Sequence, residues 1–370
     1  MACNIAICIN NTFKTTELKE IKDEGIDPRE DMPLVGIDIT HRRGYVEGYS
    51  RWKGMLPQER IGHNPLSVDY GNLCKGKCIF CMGKRNTLRP PAIKEILNHL
   101  NLHGYKHDSI ILEAPSFPLG TSEATNLLNE IILSPFASVP KKLTMRADYA
   151  GSLNYLRLAK KAGVEIISYG IESFVEEILQ VLNKGTTVQQ NITALDNTIA
   201  ADIRPGINLI LFTPWDTITT TDVTIQKALD YVEKGAYLNI SVGMDINPAI
   251  KIDEKVLEYN DIYEPGMLSS LRMLSQGKIL DPLLRKLLPS IHKSFSELEK
   301  GYQSEFASAR SISSLIWCKA FYMVLIKESG MNDELFSKIE RINRIINTCI
   351  MEMEESMLFL VAIGKVPRFT

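Results

Sequence analysis

Alternating and continuous apolar runs mark six strand-like segments in the chain, and each is followed by apolar positions at helical spacing. In the first segment, Leu66, Val68 and Tyr70 alternate with polar residues until Gly71 ends the run. The six predicted strands are 64–71, 108–114, 143–146, 165–173, 207–213 and 236–242. The predicted helices are 90–100, 122–133, 153–162, 175–183, 188–200 and 222–234, with Ser122 as a predicted N-cap. Six such units favour parallel strands with crossover helices, in a barrel or an open α/β sheet.

From about residue 251 the pattern becomes helical. Apolar positions are dense in 283–288, 291–298, 312–326 and 335–360. We expect these helices to form a cap that closes the mouth of the barrel. The pattern thus predicts an N-terminal extension at 1–63, a core barrel at 64–250 and a helical C-terminal domain at 251–370.

Charge and hydropathy narrow the classes of partner. The 370 residues include 42 Lys and Arg against 44 Asp and Glu, a net charge of −2, which lacks the broad basic excess of sequence-independent nucleic-acid binding. The alternative is a local basic groove at 40–60, where aromatic residues lie among the arginines and a phosphorylated or nucleotide-like substrate could bind. The apolar runs are too short to span a membrane, and the N-terminus lacks the pattern of a secretory signal. We therefore expect a cytoplasmic location with reduced thiols and no membrane partner.

Three of the seven cysteines lie within eight residues, as Cys74, Cys78 and Cys81 in a CxxxCxxC pattern. In a reducing compartment such a cluster favours metal binding over disulfides, because thiolates suit zinc and iron–sulfur clusters. A structural zinc site needs a fourth ligand, and no paired cysteine or histidine follows Cys81 nearby. The three cysteines therefore favour a four-iron cluster with one iron left open, and zinc is the alternative.

This cysteine motif, with Phe80 directly before its last cysteine, resembles the signature of the radical S-adenosylmethionine (SAM) superfamily. The resemblance implies a [4Fe–4S] cluster held by Cys74, Cys78 and Cys81, with SAM chelated to the open iron. It implies a one-electron cleavage of SAM to methionine and a 5′-deoxyadenosyl radical. It also implies a partial (β/α)6 TIM-like barrel and an electron donor such as flavodoxin or ferredoxin.

Further motifs resemble one branch of that superfamily, which contains tRNA methylthiotransferases, the Elongator catalytic subunit and cobalamin-binding proteins. They are 162–164 (Ala-Gly-Val), 169–173 (Tyr-Gly-Ile-Glu-Ser) and 182–186 (Leu-Asn-Lys-Gly-Thr). Residues 1–63 are expected to be too few for a cobalamin or second-cluster domain, which counts against a methylthiotransferase and a conventional cobalamin methyltransferase. Only Cys318 and Cys349 lie in the helical region, so a single cluster is expected.

The resemblance also implies contacts with SAM at the strand ends. Glu172 or Ser173 would bind the ribose or methionyl moiety, although Glu172 could instead cap the following helix. Arg146 is placed to pair with the SAM carboxylate, against a surface salt bridge as the alternative.

Two further sets of SAM contacts are implied. The chain lacks the Gly-Gly-Glu motif that many members carry after strand two, and Ser116 aligns near its glutamate, with Glu113 as the alternative. Leu211 and Phe212 lie where the family packs apolar groups against adenine, and core packing is the alternative for them.

These features predict hydrogen-atom abstraction from a small molecule such as a sugar, amino acid or nucleoside. The outcome would be epimerisation, dehydration, rearrangement or C–C bond chemistry. Modification of tRNA or a peptide, radical methyl transfer, and an iron–sulfur scaffold without catalysis are the alternatives. Cys318 is a candidate hydrogen-atom donor to a substrate radical, and the alternative is a core residue, since free cysteine is among the most buried residue types.

Overall fold

The computed structural model describes most of the chain from the first predicted strand onward. The described residues are 65–70, 74–81, 92–103, 107–114, 116–246, 275–276, 279–302, 310–330 and 332–362. The predicted extension at 1–63, with its basic segment at 40–60, lies outside them.

Six parallel strands form one sheet in which neighbours in sequence are neighbours in space. They are β1 (Pro65–Asp69), β2 (Ser109–Glu113), β3 (Lys141–Met145), β4 (Val164–Glu172), β5 (Arg204–Leu211) and β6 (Tyr237–Val242). Each strand pairs with the next from β1 to β6, and the register shifts at Lys141/Lys142 between β3 and β4 and at Gly170/Glu172 between β4 and β5. In the described part of the chain β1 and β6 do not pair with each other. This open run of parallel strands confirms the predicted α/β fold of a partial (β/α)6 barrel.

A helix follows each of the first five strands. These helices are α1 (Ile93–His103), α2 (Ser122–Ile132), α3 (Leu153–Lys161), α4 (Glu176–Val181), α5 (Val188–Ala200) and α6 (Ile218–Val232). The predicted N-cap of α2 is wrong by one residue. Thr121 is extended and its Oγ1 accepts the backbone N–H of Ala124 at 3.3 Å, whereas Ser122 is the first helical residue.

The main core lies between the sheet and its helices. In β4, Ile167, Tyr169 and Ile171 are fully buried in this layer, and the Tyr169 hydroxyl bonds the Thr198 Oγ1 of α5 at 2.7 Å. Strand alternation then directs Ser168 and Gly170 to the opposite, inner face of the sheet. Each fully buried large apolar side chain stabilises the fold by about 1.5–3 kcal/mol.

The C-terminal region is helical, as predicted. It contains α7 (Pro282–Glu299), α8 (Arg310–Ser329) and α9 (Asp333–Ala362), and a short antiparallel pair, β7 (Asp245–Ile246) with β8 (Ser275–Gln276), precedes it. None of the helices in the described part of the chain has the length and apolar character needed to cross a membrane.

Helix α8 covers the open edge of the sheet at β6. Ser311 Oγ accepts the N–H of Leu238 at 3.2 Å, and Ser314 Oγ accepts that of Ile240 at 2.9 Å. Alternate N–H groups of an edge strand are thus matched by serines three residues apart on one helix face. The helical region therefore caps the sheet edge, whereas the sequence predicted closure of the barrel mouth. The division at residue 250 stays a prediction.

Candidate active site

The three motif cysteines lie on one loop, Cys74–Cys81, at the carboxyl end of β1. Cys78 is buried, while Cys74 and Cys81 are half-buried, and none of the three forms a disulfide. A Cβ added to Gly76 would lie 3.3 Å from the Cys74 Sγ and 3.5 Å from the Cys78 Sγ, so both sulfur atoms border this glycine. The carboxyl edge of the strands is where (β/α) barrels carry their catalytic loops.

A second loop, Leu182–Gly185, holds the cysteine loop in place, and we call it the docking loop. The Ile79 N–H donates to the Leu182 carbonyl at 3.1 Å, and the Asn183 Nδ2 donates to the Lys77 carbonyl at 3.0 Å. The Lys184 Nζ lies 5.9 Å from the centre of the Phe80 ring, close enough for a cation–π contact. The 182–186 motif therefore supports the cysteine loop directly.

Arg146, at the end of β3, joins these two loops. Its Nη1 donates to the Lys184 carbonyl at 2.7 Å and lies 4.0 Å from the Cys78 Sγ, and its Nη2 donates to the Gly185 carbonyl at 3.2 Å. The Nε and Nη2 also donate to Asp148, at 3.0 and 3.2 Å. With the contact between Nη1 and the Cys78 Sγ, these bonds use all five N–H groups of the guanidinium. The alternative of a surface salt bridge is met in part, because Arg146 pairs with the half-exposed Asp148 while its own guanidinium is buried. A bond to the SAM carboxylate would require one of these bonds to be exchanged.

Glu172 and Lys184 form a buried ion pair beside the cysteine loop. The Lys184 Nζ lies 2.8 Å from the Glu172 Oε1, and the exposed side-chain fractions are 6% and 10%. Glu172 adopts a left-handed φ of 63°. Gly170 provides the space, since a Cβ there would lie 2.5 Å from the Glu172 Oε1. The alternative of Glu172 as a helix cap is wrong, because Val175 occupies the N-cap position of α4.

Sequence reasoning missed Lys184. Its position within the 182–186 motif was the available signal, but only the fold shows that the docking loop meets the cysteine loop across 106 residues of sequence.

The electrostatic surroundings of Cys78 fit a metal-bound thiolate. Burial raises the pKa of the Cys78 thiol, and the positive charges of Lys184 and Arg146 oppose that rise. The described residues contain no set of three or more Cys, His, Asp or Glu side chains already gathered at metal-binding distances. The donors nevertheless fit an iron–sulfur cluster, because three cysteine sulfurs share one loop and two cations lie beside the most buried of them.

The predicted serine contacts lie in different layers of the fold. The Ser116 Oγ is buried and accepts the Arg146 backbone N–H at 3.0 Å, so it fixes the end of β3 beside the site. The Ser173 Oγ bonds the Thr224 Oγ1 of α6 at 3.0 Å, in the helical layer. Of the pair Glu172 and Ser173, the structure therefore brings only Glu172 towards the cysteine loop.

The apolar contacts at the end of β5 involve a different residue from those predicted. Leu211 is buried in the main core, and Phe212, with a left-handed φ of 60°, packs near Trp317 and Phe321 of α8. Ile210 instead belongs to a small apolar cluster packed against Ile79 and Phe80 of the cysteine loop. The structure therefore favours Ile210 over Leu211 and Phe212 as the apolar wall of β5 beside the site.

Cys318 lies inside the helical region. It is fully buried on α8, and this burial raises the pKa of its thiol to about 12. The apolar surroundings support the alternative of a core residue, and the hydrogen-donor role stays a prediction.

A cleft of about 430 Å³ opens beside the cysteine loop. Four cationic side chains border it, against the single carboxylate of Asp148; they are Lys75, Lys77, Arg146 and Lys184. A larger hollow of about 570 Å³ lies between α1 and α2, and no motif residue borders it. The smaller cleft is the better candidate for ligand binding because it adjoins the cysteines, and its charge suits an anionic group.

Known proteins support the resemblance at low identity. No protein-family model matches the chain. The anaerobic magnesium-protoporphyrin IX monomethyl ester cyclase of Cereibacter sphaeroides is 23% identical over 251 residues, which are 64% of this chain and 40% of that protein. The chain thus spans about two fifths of the length of this relative.

Solved structures of similar fold carry related names. The cobalamin-dependent S-adenosylmethionine radical enzyme OxsB is 15% identical, with 81% of this chain and 56% of that chain covered and a TM-score of 0.49. The radical S-adenosylmethionine methyltransferase TsrM from Kitasatospora setae is 15% identical, with 49% and 34% covered and a TM-score of 0.44. The names of these two structures agree with the predicted resemblance to the radical SAM superfamily and its cobalamin-containing branch. Similarity at this level determines neither the reaction nor the substrate.

Proposed function

We propose that the chain is a radical SAM enzyme that acts on a small molecule. The observation that carries the proposal is the CxxxCxxC loop, which lies at the carboxyl end of β1 and is held by the docking loop with Arg146 and Lys184 beside Cys78. A parallel sheet, a three-thiol loop and a cationic cleft occur together at the edge where (β/α) barrels place their chemistry.

Cys74, Cys78 and Cys81 would hold a [4Fe–4S] cluster through their sulfur atoms. When bound, the cluster and SAM supply a one-electron cleavage of SAM to methionine and a 5′-deoxyadenosyl radical. Arg146 and Lys184 stabilise the thiolate form of Cys78, because two positive charges lie beside a buried sulfur. Arg146 also fixes the docking loop through two carbonyl bonds, so the charge and the geometry of the site depend on the same side chain.

SAM would bind beside the cysteine loop, next to the cationic cleft, where Lys184 lines the cleft and contacts both Phe80 and Glu172. We assign contacts with SAM to Phe80, Glu172 and Ile210, which border the docking loop and the cysteine loop. Ser116 acts through Arg146 by holding the backbone at the end of β3. Buried apolar side chains around Ile210 would keep water from the reacting centre.

The reducing electron would enter from a flavodoxin or ferredoxin. Lys75 and Lys77 are both exposed and flank Gly76 on the cysteine loop, so the outer face of the site is positive. Complementary charge speeds the encounter with an acidic redox partner.

The substrate would be a sugar, amino acid, nucleoside or comparable small molecule that enters the inner face of the sheet. The name of the Cereibacter sphaeroides relative also describes a small-molecule substrate. Abstraction of one hydrogen atom would begin an epimerisation, dehydration, rearrangement or C–C bond reaction, in which the protein orients one C–H bond.

The proposal is tested by anaerobic reconstitution followed by incubation with SAM and dithionite. We expect 5′-deoxyadenosine from the full chain and none from Cys78→Ala. Cys349→Ala is the matched control, because it removes a buried cysteine that lies outside the motif and forms no disulfide. Equal product from both variants, or none from the unaltered chain, would refute the proposal. Product formed only after tRNA or a peptide is added would favour a macromolecular substrate.

A further inference from the structure

Amide and hydroxyl side chains line the inner face of β4, β5 and β6. Tyr169 of β4 bonds Thr198 in the helical layer, so its neighbour Ser168 faces inward. Asn208 of β5 bonds Ser168, and Asn239 of β6 bonds Asn208, which places all three side chains on the same face. We call Ser168, Asn208 and Asn239 the polar wall.

The hydrogen bonds of the polar wall fix the orientation of Asn208. Its Nδ2 donates to the Ser168 Oγ at 3.0 Å and to the Tyr169 carbonyl at 2.9 Å. Its Oδ1 accepts from the Asn239 Nδ2 at 2.9 Å. Both N–H groups of Asn208 are thereby used, so this residue positions the other two and presents little to a ligand.

Free hydrogen-bonding capacity remains on the other two residues. In the described part of the chain, the Asn239 Oδ1 accepts no hydrogen bond, and one of the two Asn239 N–H groups has no acceptor. The Ser168 Oγ accepts from both Asn208 and the Tyr237 hydroxyl, which leaves its own hydrogen without a described acceptor. Asn208 and Asn239 are half-buried and Ser168 is 6% exposed, so Asn239 is the most accessible of the groups with free capacity.

Tyr237 forms the floor below the wall. Its ring occupies the space over Gly206, where an added Cβ would lie 2.1 Å from the ring, and it packs against Ile166 and Ile111. The Lys142 Nζ lies 5.3 Å from the centre of the same ring. This floor sets the depth to which a ligand can enter.

The wall lies close to the candidate active site along the strands. Asn208 pairs in register with Gly170 of β4, which precedes Glu172 by two residues. The ion pair lies over this same Gly170, since a Cβ built there would lie 2.5 Å from the Glu172 Oε1 and 2.7 Å from the Lys184 Nζ. Asn208 and the pair therefore lie at the same level on neighbouring strands. The inner layers of (β/α) barrels are ordinarily filled by branched apolar side chains, so a network of neutral polar groups here calls for a polar ligand.

We propose that the polar wall recognises an uncharged substrate group that both donates and accepts hydrogen bonds, such as a carboxamide, a lactam or a hydroxyl group. Asn239 and Ser168 contact the group, and Asn208 and Tyr237 position them. The network itself carries no formal charge, which disfavours a carboxylate or phosphate at this position. This inference rests on the proposed function, because it names the substrate class of the same site.

The test compares two probes that differ in one group, nicotinamide and nicotinate, on the anaerobically reconstituted full chain. Binding is measured by saturation-transfer difference nuclear magnetic resonance. We expect nicotinamide to bind more tightly than nicotinate, and about tenfold more weakly to Asn239→Ala, because two hydrogen bonds are lost. Asn239→Leu provides a second variant of similar volume. The control is Asn197→Ala, which removes a half-buried asparagine bonded to two carbonyls outside the sheet.

Three results would overturn the inference: no binding of nicotinamide, equal binding of nicotinate, or the same affinity in Asn239→Ala and Asn197→Ala. Formation of 5′-deoxyadenosine is followed on the same samples. If SAM is cleaved but nicotinamide binds equally well with and without the Asn239 side chain, the polar wall alone is refuted. If nicotinamide binding depends on Asn239 but SAM is not cleaved, the proposed function is refuted and the wall remains a ligand site.

Discussion

The buried ion pair of Glu172 and Lys184 can be tested against an exposed pair of the same geometry on the same strand. Glu165 of β4 pairs with Lys160 at 2.8 Å, the distance that also separates Lys184 from Glu172. The exposed side-chain fractions are 27% and 48% for Lys160 and Glu165, against 6% and 10% for the buried pair. Any difference in the loss of stability when each glutamate is replaced therefore reflects burial of the pair rather than the distance between its atoms.

Glu172→Gln removes one charge and leaves Lys184 buried without its partner. Breaking a buried pair in this way costs about 3–5 kcal/mol, because the remaining charge stays out of water. Glu165→Gln leaves Lys160 in partial contact with solvent and next to Asp202, at a cost of about 0.2–1 kcal/mol. A loss of 1 kcal/mol lowers the melting temperature by roughly 2–4 °C in a domain of this size.

Scanning calorimetry of both variants measures the difference directly. We expect a fall of roughly 10 °C for Glu172→Gln and no more than a few degrees for Glu165→Gln. Iron loading should fall only in Glu172→Gln, because Lys184 belongs to the loop that holds the cysteines. Equal losses in the two variants, or an unchanged melting temperature for Glu172→Gln, would refute the assignment of a buried, uncompensated charge.

Three further predictions concern the surface, the sheet edge and a buried carboxyl group. Replacing Lys75 and Lys77 by Glu should slow reduction by flavodoxin about tenfold at low salt and leave dithionite-driven SAM cleavage unchanged; equal effects on both would contradict the partner surface. Ser314→Ala should cost about 1–3 kcal/mol in urea unfolding, because a buried strand N–H loses its acceptor, whereas Ser313→Ala on the same helix should be nearly neutral. Burial raises the pKa of Asp216 to about 6 from 3.8, so its contribution to stability is present at acid pH and falls by about 3 kcal/mol between roughly pH 4 and 6. Asp216→Asn should remove that part of the pH dependence, and an unchanged profile would contradict the shift.

The alternation of apolar residues was sufficient to predict the sheet. The six predicted strands begin and end within a few residues of those observed, and strands such as 64–71 contain the whole of β1. Apolar periodicity indicates which face of a strand is buried, and burial of that face stabilises the strand in a layered fold. The cysteine loop could be predicted because its three cysteines are close in sequence.

Side-chain direction at the strand ends could not be predicted in the same way. The contacts at 172–173 and 211–212 were predicted from the resemblance of the motifs, which does not specify where each side chain points. Glu172 and Phe212 both have a left-handed φ, which interrupts the alternation of side chains at the ends of β4 and β5. Ile210, which keeps the inward phase of Asn208, packs beside the cysteine loop instead of Leu211. No local pattern signals such an interruption.

Long-range contacts were equally inaccessible from sequence. The bond from Asn183 to Lys77 and the chain of bonds from Ser168 to Asn239 depend on which strands become neighbours. The sequence suggested that 182–186 was a motif, but its role as the support of the cysteine loop follows only from the fold.

The central claim is that Cys74, Cys78 and Cys81 hold a four-iron cluster with one iron open to SAM. Mössbauer spectroscopy of the chain reconstituted anaerobically with ⁵⁷Fe, with and without SAM, tests it most directly. We predict about four irons per chain and a change in the signal of only one of them when SAM is added. One zinc per chain, or a cluster whose spectrum does not respond to SAM, would contradict the account.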